Sequence, residues 1–238
     1  MTTLFIADLH LNENRPEITE LFLNFLNNEA RHARALYILG DLFEAWLGDD
    51  CILPGYQPII ENLKSLTDNN VPVYFVHGNR DFLIGERFCE LTGCQLLDES
   101  TVITIDNQNY LIMHGDTLCT DDVKYQQFRA MVRNPEWQKQ LLEKTPAERI
   151  ALAKQYREIS QSETAEKADD IMDVNQAEVE NAMQQAKVLT LIHGHTHRPD
   201  IHTFKLANKD AQRIVLGDWY KQGNVLRLED NKFTLETI

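Results

Sequence analysis

The sequence has no apolar run that approaches the length of a membrane span, which takes about 20 residues. Its first residues, Met1–Asp8, place no basic segment ahead of their short apolar stretch, so we expect no signal peptide. Cysteine is scarce as well, and the four cysteines form no CxxC pair. This spacing favours reduced thiols in a cytosolic protein over a disulfide framework or a zinc-thiolate site.

Positive charge is also in short supply, with 23 lysines and arginines against 37 acidic residues and a net charge of -14. Because proteins that bind nucleic acids present basic surfaces, this balance argues against a nucleic-acid partner. The exception is the stretch 123–160, which holds eight basic and four acidic residues. Such a stretch fits either a nearby anionic ligand or surface, or an exposed helical face of mixed charge.

What the sequence does have is an alternation of short apolar strands with amphipathic helices, which is typical of an α/β domain. A polar helical stretch interrupts this pattern. We therefore divide the chain into a core, residues 1–120 and 187–238, and a helical insertion, residues 121–186. Within the insertion, Thr145–Glu148 predicts a capping box at a helix start, and Asp173–Gln176 repeats that signature.

Five predicted strands end in side chains that can bind metal ions. In open α/β sheets, ligands bind at the carboxyl ends of the strands, where parallel strands end together. A single Asp-x-His or Gly-Asp is more often a cap or a turn, but five such endings in one chain would need five separate coincidences. The candidate ligands are Asp8, His10, Asp41, Asn79, His114, His195 and His197.

These candidates comprise two carboxylates, one amide oxygen and four imidazoles. Such a mixed set of oxygen and nitrogen donors suits divalent ions such as Mn²⁺, Fe²⁺ or Zn²⁺. If one ligand is shared, each of two ions has four protein contacts, and only a carboxylate bridges well because it has two oxygens. Two ions about 3.5–4 Å apart can acidify a water and neutralise a phosphoryl group.

The order of these endings, Asp-x-His, Gly-Asp, Gly-Asn, His-Gly and Gly-His-x-His, resembles the calcineurin-like metallophosphoesterase family. The resemblance covers most of the chain outside the insertion. It implies an α/β (α+β) fold, a four-layer β-sandwich core flanked by helices with a helical cap insertion, and a centre of two metal ions. The implied ligand sets are Asp8, His10, Asp41 and His197 for one ion, and Asp41, Asn79, His114 and His195 for the other.

Two positions depart from the general family pattern. The family commonly has histidine after Gly-Asn, where this chain has Arg80, and aspartate three residues after Gly-Asp, where it has Glu44. Arginine is a poor proton donor, but it binds phosphate bidentately. It therefore suits a leaving group that is already a weak base, and Arg80 indicates cleavage of a diphosphate. The alternative is that Arg80 only pairs with Asp81.

Three segments narrow the resemblance to the pyrophosphatases of this family that act in lipid A synthesis: 79–81, 160–167 and 171–175. This narrower resemblance implies that UDP-2,3-diacylglucosamine is hydrolysed to UMP and 2,3-diacylglucosamine 1-phosphate, with two Mn²⁺ ions as cofactors. We expect a hydroxide shared by the ions to attack the α-phosphate, with Arg80 and His195 as catalytic residues. The implied substrate contacts are Asn79, Arg80, Asp122, Ser160, Thr164, Lys167 and His195.

The resemblance also implies a cytoplasmic protein attached peripherally to the cytoplasmic face of the inner membrane, and no protein partner is predicted. A diacyl substrate needs an apolar groove, which the helices of the insertion can supply; alternatively, the same residues pack a small core of the insertion. Two other functions stay open: a different metallophosphoesterase, such as a nucleotide pyrophosphatase, cyclic-nucleotide phosphodiesterase or protein phosphatase, and a non-catalytic scaffold. The candidate groove residues are Phe128, Met131, Val132, Trp137, Leu141, Leu142, Ile150, Tyr156 and Ile159.

Overall fold

Two β-sheets form the centre of the protein in this computed structural model, which describes residues 1–165 and 173–238, without the side chains of 158–165. The strands are β1 (Thr3–Ile6), β2 (Ala35–Ile38), β3 (Val73–Phe75), β4 (Gln95–Leu96), β5 (Ser100–Ile105), β6 (Gln108–Met113), β7 (Thr190–His193), β8 (Asp200–Leu206), β9 (Lys209–Val215), β10 (Asn224–Glu229) and β11 (Lys232–Thr237). The first sheet has the order β11-β10-β1-β2-β3-β4, and the second has the order β5-β6-β7-β9-β8.

The described residues form seven α-helices, some of which pack on the outer faces of the two sheets. They are α1 (Pro16–Asn28), α2 (Gln57–Asp68), α3 (Glu86–Thr92), α4 (Val123–Val132), α5 (Pro135–Leu142), α6 (Pro146–Ala165) and α7 (Gln176–Ala186). The last four lie between β6 and β7, in the stretch that we assign to the insertion.

The start of α6 has the predicted capping box. The Glu148 carboxylate accepts hydrogen bonds from the Thr145 backbone N–H at 2.8 Å and from its hydroxyl at 2.7 Å. The second predicted cap is wrong. The residue that caps α7 is Asn175 and not Asp173, because the Asn175 amide oxygen accepts hydrogen bonds from the backbone N–H groups of Ala177 and Glu178.

Apolar residues hold the layers together on both faces of each sheet. In β1, which is buried on both sides, Leu4 and Ile6 pack with α1 and α2, whereas Phe5 faces the second sheet. The far face of the second sheet, which includes Leu191, packs against Val179 of α7. The order helix, sheet, sheet, helix confirms the predicted four-layer sandwich.

Parallel pairing decides where the strands deliver their loops. β1, β2 and β3 are parallel neighbours in the first sheet, and β6 and β7 are parallel neighbours in the second. The carboxyl ends of parallel neighbours lie at the same edge of a sheet, where α/β proteins bind ligands. All five strands that carry the predicted metal ligands belong to these two groups.

Candidate metal centre

The loops that follow five strands meet and bring all seven candidate ligands into one cluster. The first two loops are joined because the Asp8 backbone N–H donates to Gly40 O at 3.1 Å and that of His10 donates to Asp41 O at 2.9 Å. The last loop joins the first through the His195 backbone N–H, which donates to Asp8 Oδ2 at 2.8 Å. Residues almost 190 positions apart are thereby fixed side by side.

Asp8, His10 and His197 form the first group of the cluster. His197 Nε2 lies 3.4 Å from His10 Nε2 and 3.3 Å from Asp8 Oδ1. Ligands that surround one ion at about 2.1 Å lie about 3.0–3.4 Å from each other in octahedral or tetrahedral geometry. The three side chains therefore have the spacing of a coordination shell.

Asn79, His114 and His195 form the second group with similar spacing. Asn79 Oδ1 lies 2.9 Å from His114 Nε2 and 3.0 Å from His195 Nδ1, and these two nitrogens are 3.2 Å apart. One amide oxygen and two imidazole nitrogens thus point at a common centre.

The two aspartates lie between these groups. Asp41 Oδ2 is 3.7 Å from His10 Nε2 and also 3.7 Å from His114 Nε2, so it reaches one histidine of each group. Asp8 is similarly placed, since its carboxylate lies within 4.8 Å of the ligand atoms of Asp41 and His114 as well as of His10 and His197. The position of Asp41 suits the predicted bridging role, while Asp8 has access to both groups too.

Five of the seven candidate ligands have a left-handed backbone conformation, which residues other than glycine seldom adopt. Each such conformation costs free energy, of order 1 kcal/mol or more, and persists where surrounding contacts impose it. The concentration of this strain in the cluster indicates a functional site. The φ values are +57° for Asp8, +50° for His10, +54° for Asp41, +68° for His195 and +56° for His197.

Two glycines allow the loops to approach this closely. A Cβ atom on Gly78 would collide with the carboxylate and backbone of Asp41, and a Cβ atom on Gly194 would collide with Asp8. Any other residue at either position would push a candidate ligand out of place.

The donors fit a divalent cation in their chemistry as well as their spacing. Asp8 Oδ1 is buried and accepts no hydrogen bond from the described part of the chain, which is costly for a carboxylate oxygen unless a cation lies against it. The His114 Nδ1–H donates to Leu39 O at 2.8 Å, an arrangement that directs the Nε2 lone pair into the cluster. The Nδ1 atoms of His10 and His197 face carboxylates, Glu44 at 3.6 Å and Asp218 at 3.5 Å.

The charges of the cluster also favour a cation. Burial lowers the pKa of His10, and burial together with His114 lowers the pKa of His195 to about 4, so both imidazoles are neutral lone-pair donors near pH 7. Burial alone would lower the pKa of His114 too, but the carboxylates of Asp41 and Asp8 raise it to about 9. The cluster therefore attracts positive charge at its centre.

The Arg80 guanidinium is not held by the neighbouring carboxylate of Asp81. Within the described part of the chain, the fully buried Asp81 carboxylate accepts backbone N–H groups, including Leu42 at 2.8 Å and Gly78 at 2.9 Å, and no ion pair joins it to Arg80. The Arg80 backbone N–H donates to Asp41 Oδ1 at 2.8 Å, and the buried Nε of its side chain has no hydrogen-bond partner in residues 1–165 and 173–238. The guanidinium thus keeps a donor for a ligand.

The other predicted substrate contacts are divided between described and undescribed parts of the insertion. Asp122 is buried at the N-terminus of α4, where its carboxylate accepts the Tyr125 backbone N–H at 3.1 Å. Ser160 and Thr164 lie in the part of α6 whose side chains are not described, and Lys167 lies outside the described residues.

Comparison with known proteins identifies the family. A sequence profile described as calcineurin-like phosphoesterase matches residues 1–199. This chain belongs to that family. A "UDP-2,3-diacylglucosamine hydrolase" from Stenotrophomonas maltophilia (strain R551-3) is 50% identical over 100% of this chain and 99% of its own length. Another of that name, from Chromohalobacter salexigens, is 52% identical over 97% and 94%. A solved archaeal phosphodiesterase aligns over 100% of both chains at 14% identity, with a TM-score of 0.49.

A buried network behind the second ligand group of this phosphoesterase was not predicted. Asp116 accepts hydrogen bonds from the Tyr125 hydroxyl at 2.9 Å and from Arg129 Nε at 2.7 Å, and the Tyr125 ring lies 5.6 Å from the ring of His195. These contacts fix the ring against which His195 rests. Asp116 follows His114-Gly115 directly, so its position beside a ligand motif is a sequence signal for such a role.

The first ligand group is supported by a segment that no sequence motif marked as part of the site. Tyr220 stacks on His10 with ring centroids 5.6 Å apart and an angle of 6° between the planes. Arg15 lies over the Tyr220 ring at 4.8 Å, and Asp218 faces His197. Asp218 and Tyr220 follow β9, more than 200 residues after His10, so only the folded chain brings them here.

Arginines of the basic stretch join the insertion to the core. Arg149, which is 2% exposed, binds Leu47 O and the Asp50 carboxylate, and Arg129 pairs with Asp116 and Glu99. Arg133 donates to Gly78 O at 2.9 Å, and Arg157 lies 3.2 Å from Glu44. These four arginines of the basic stretch thus bind core residues, which neither interpretation of the sequence anticipated.

The predicted groove residues divide between buried and accessible positions. Val132 and Leu141 are buried, whereas Met131, Leu142 and Ile150 are each at least 40% exposed. Aromatic residues join the insertion internally and to the core, because Tyr156 contacts Phe128 and Trp137, and Trp137 contacts Phe82. Some of these residues therefore fit a small core of the insertion, and others are accessible as a groove would require. The side chain of Ile159 is not described.

Proposed function

We propose that this phosphoesterase hydrolyses UDP-2,3-diacylglucosamine to UMP and 2,3-diacylglucosamine 1-phosphate in lipid A synthesis. The observation that carries the proposal is the convergence of four imidazoles, two carboxylates and an amide oxygen at the strand ends. This donor set supports metal-dependent cleavage of a phosphate linkage. The names of relatives about half identical over nearly the whole chain support the substrate.

Two Mn²⁺ ions fit the cluster as cofactors. Mixed carboxylate, amide and imidazole donors suit this ion. When bound, such ions would neutralise phosphoryl oxygens and lower the pKa of bound water. The residues that would hold the ions are Asp8, His10, Asp41 and His197 for the first, and Asp41, Asn79, His114 and His195 for the second.

Arg80 and His195 are the residues that act on the α-phosphate. The Arg80 guanidinium donates hydrogen bonds to the non-bridging oxygens, whose negative charge grows in the transition state. His195, neutral because burial lowers its pKa, orients the same phosphate together with Asn79. The leaving group is a phosphate monoester and a weak base, so no residue needs to protonate it, which explains an arginine where the family commonly has histidine.

The insertion, residues 121–186, binds the rest of the substrate as a cap over the core formed by 1–120 and 187–238. Its partly exposed apolar residues near Trp137 hold the acyl chains. Asp122, Ser160, Thr164 and Lys167 contact the polar part of the substrate.

Because the acyl chains anchor this substrate in a bilayer, the protein works at a membrane surface, as a peripheral protein on the cytoplasmic face of the inner membrane. None of the helices in residues 1–165 and 173–238 has both the length and the apolar character to cross a bilayer.

The proposal is tested by incubating the purified protein with UDP-2,3-diacylglucosamine and Mn²⁺ in H₂¹⁸O. We expect UMP and 2,3-diacylglucosamine 1-phosphate in equal amounts, with the label in UMP because the α-phosphorus is attacked. Chelation should stop the reaction and added Mn²⁺ should restore it. Label in the sugar phosphate would contradict the assigned point of attack.

Substrate comparison separates the proposal from related functions. The deacylated UDP-sugar keeps the diphosphate but lacks the chains that the insertion binds, so kcat/KM should fall by at least about 100-fold, since each buried CH₂ contributes about 0.8 kcal/mol. Equal rates on both substrates would favour a general nucleotide pyrophosphatase. Hydrolysis of cyclic nucleotides or phosphopeptides, with none of the diacyl UDP-sugar, would refute the proposal.

A further inference from the structure

The turn that carries His195 and His197 has little packing behind it. Thr196 and Arg198, which alternate with the two histidines, line a cavity of about 230 Å³ together with Asp173 and Arg213. The buried Thr196 hydroxyl has no hydrogen-bond partner among the described residues. On the cavity side the turn therefore faces mainly polar side chains, and both histidines hold left-handed conformations that surrounding contacts must impose.

Asp173, which comes from the end of the insertion, supplies such contacts. Its Oδ2 lies 3.1 Å from Arg198 Nη1, next in the chain to His197, and its Oδ1 lies 3.9 Å from Arg213 Nη1. Arg213 is 7% exposed, and its Nη1 lies 3.3 Å from Nε2 of the fully buried His193. One carboxylate therefore reaches both sides of the histidine turn, through Arg198 after it and through Arg213 and His193 before it.

Asp173 is itself well anchored. Two residues later, the Asn175 backbone N–H donates to Leu118 O at 2.8 Å, and its side-chain amide donates to both oxygens of Asp121 at 3.1 Å. Asn175 also caps α7. The segment is thus fixed to the beginning of the insertion and to the helix that packs on the second sheet, which gives Asp173 a rigid base.

We propose that Asp173 is a positioning residue that holds the turn of His195 and His197, through Arg198 and Arg213, and so couples the insertion to the geometry of the ligand cluster. The inference rests on the proposed function only in that these histidines bind metal. It also assigns a role to Asp173, which does not serve as the helix cap that the sequence indicated.

The test measures Mn²⁺ affinity by competition with a chelator in the wild type and in Asp173→Asn. Residues that support metal ligands typically change affinity 10- to 100-fold, and Asp173 acts one step further away, so we expect a loss of about 3- to 10-fold. The melting temperature without metal should change by less than about 4 °C, because an ion pair this exposed contributes little to stability. Asp173→Glu should recover most of the lost affinity.

Two further variants decide whether the effect passes through Arg198. If it does, the two substitutions should not add: the double variant Asp173→Asn with Arg198→Gln should bind Mn²⁺ as tightly as the single variant that has the lower affinity. The matched control is Asp106→Asn, which removes an ion pair with Arg34, 46% exposed on both sides, away from the cluster. It should leave Mn²⁺ affinity unchanged.

The outcomes separate this inference from the proposed function. Wild-type Mn²⁺ binding with an unchanged affinity in Asp173→Asn would overturn the positioning role alone. Losses that add fully in the double variant, or a loss of equal size in Asp106→Asn, would overturn it too. Absence of Mn²⁺ binding in the wild type would instead refute the metal centre on which both proposals depend.

Discussion

The ligand cluster and the helical insertion are built in opposite ways. Asp8, His10, Asp41 and His114 are at most 3% exposed, and strand ends and backbone hydrogen bonds hold them. In the described side chains of α4, α5 and α6, by contrast, only Val132, Leu141 and Arg149 are buried. Those helices are joined to the core largely by arginines.

This difference matches the tasks that we propose for the two regions. Chemistry at a metal centre requires donors fixed within a fraction of an ångström, which dense packing and strained backbone provide. A surface for flexible acyl chains needs accessible apolar area and tolerates adjustment. Substitutions in the cluster should therefore abolish activity, whereas substitutions in the insertion should alter stability or substrate preference.

The strongest test of this contrast is Asp41→Ala. Because Asp41 reaches a histidine of each ligand group, its loss should disturb both ions and lower kcat by about 1,000-fold or more under saturating Mn²⁺. The assay is UMP release from UDP-2,3-diacylglucosamine, with bound metal measured in parallel. The control Asp210→Ala removes a carboxylate that is 92% exposed and should keep full activity; retention of most of kcat by Asp41→Ala would refute the two-metal scheme.

Arg80→Ala should have the next largest effect, on the chemical step alone. The loss of one donor to transition-state oxygens typically lowers kcat about 100- to 1,000-fold. Arg80→Lys should recover only part of it, because lysine cannot bind phosphate bidentately. Single-turnover kinetics measures the step directly, with Arg31→Ala, an exposed arginine, as control. A rise in KM at constant kcat would assign Arg80 to ground-state binding instead.

Arg149→Met should affect stability more than chemistry. The substitution leaves the buried carbonyl oxygen of Leu47 without its donor and removes the ion pair with Asp50, which should lower the free energy of unfolding by about 2 kcal/mol. Arg157→Met is the matched control, since Arg157 is 45% exposed and should cost less than about 1 kcal/mol. Urea denaturation compares them, and equal losses would show that burial is not what matters at these positions.

Trp137→Ala should have the smallest effect, and it tests whether the insertion binds the acyl chains. Trp137 lies between Phe82 of the core and Tyr156, so Trp137→Ala should reduce kcat/KM for long-chain substrates by about 10-fold through lost apolar contact. A substrate with two-carbon acyl groups should be hydrolysed at an unchanged rate. If both substrates respond alike, Trp137 supports the fold of the insertion and does not bind acyl chains.

Local patterns predicted the elements of this fold well because they depend on neighbouring residues. A short continuous run of apolar residues predicted β1, and Thr145 with Glu148 predicted the cap of α6. The cap at Asp173 failed for a tertiary reason. Its carboxylate faces Arg198, and Asn175 is better placed to accept the first N–H groups of α7.

The sequence by itself determined the inventory of the site: the ligand types, their places after apolar strands and the glycines beside them, since these depend on short stretches of chain. Only the tertiary structure decided that Asp41 stands between two ligand groups, that Tyr220 stacks on His10, and that insertion arginines bind core acids. The reason is that distances between residues remote in sequence depend on the pairing order of the strands and the packing of the layers, which no local pattern records.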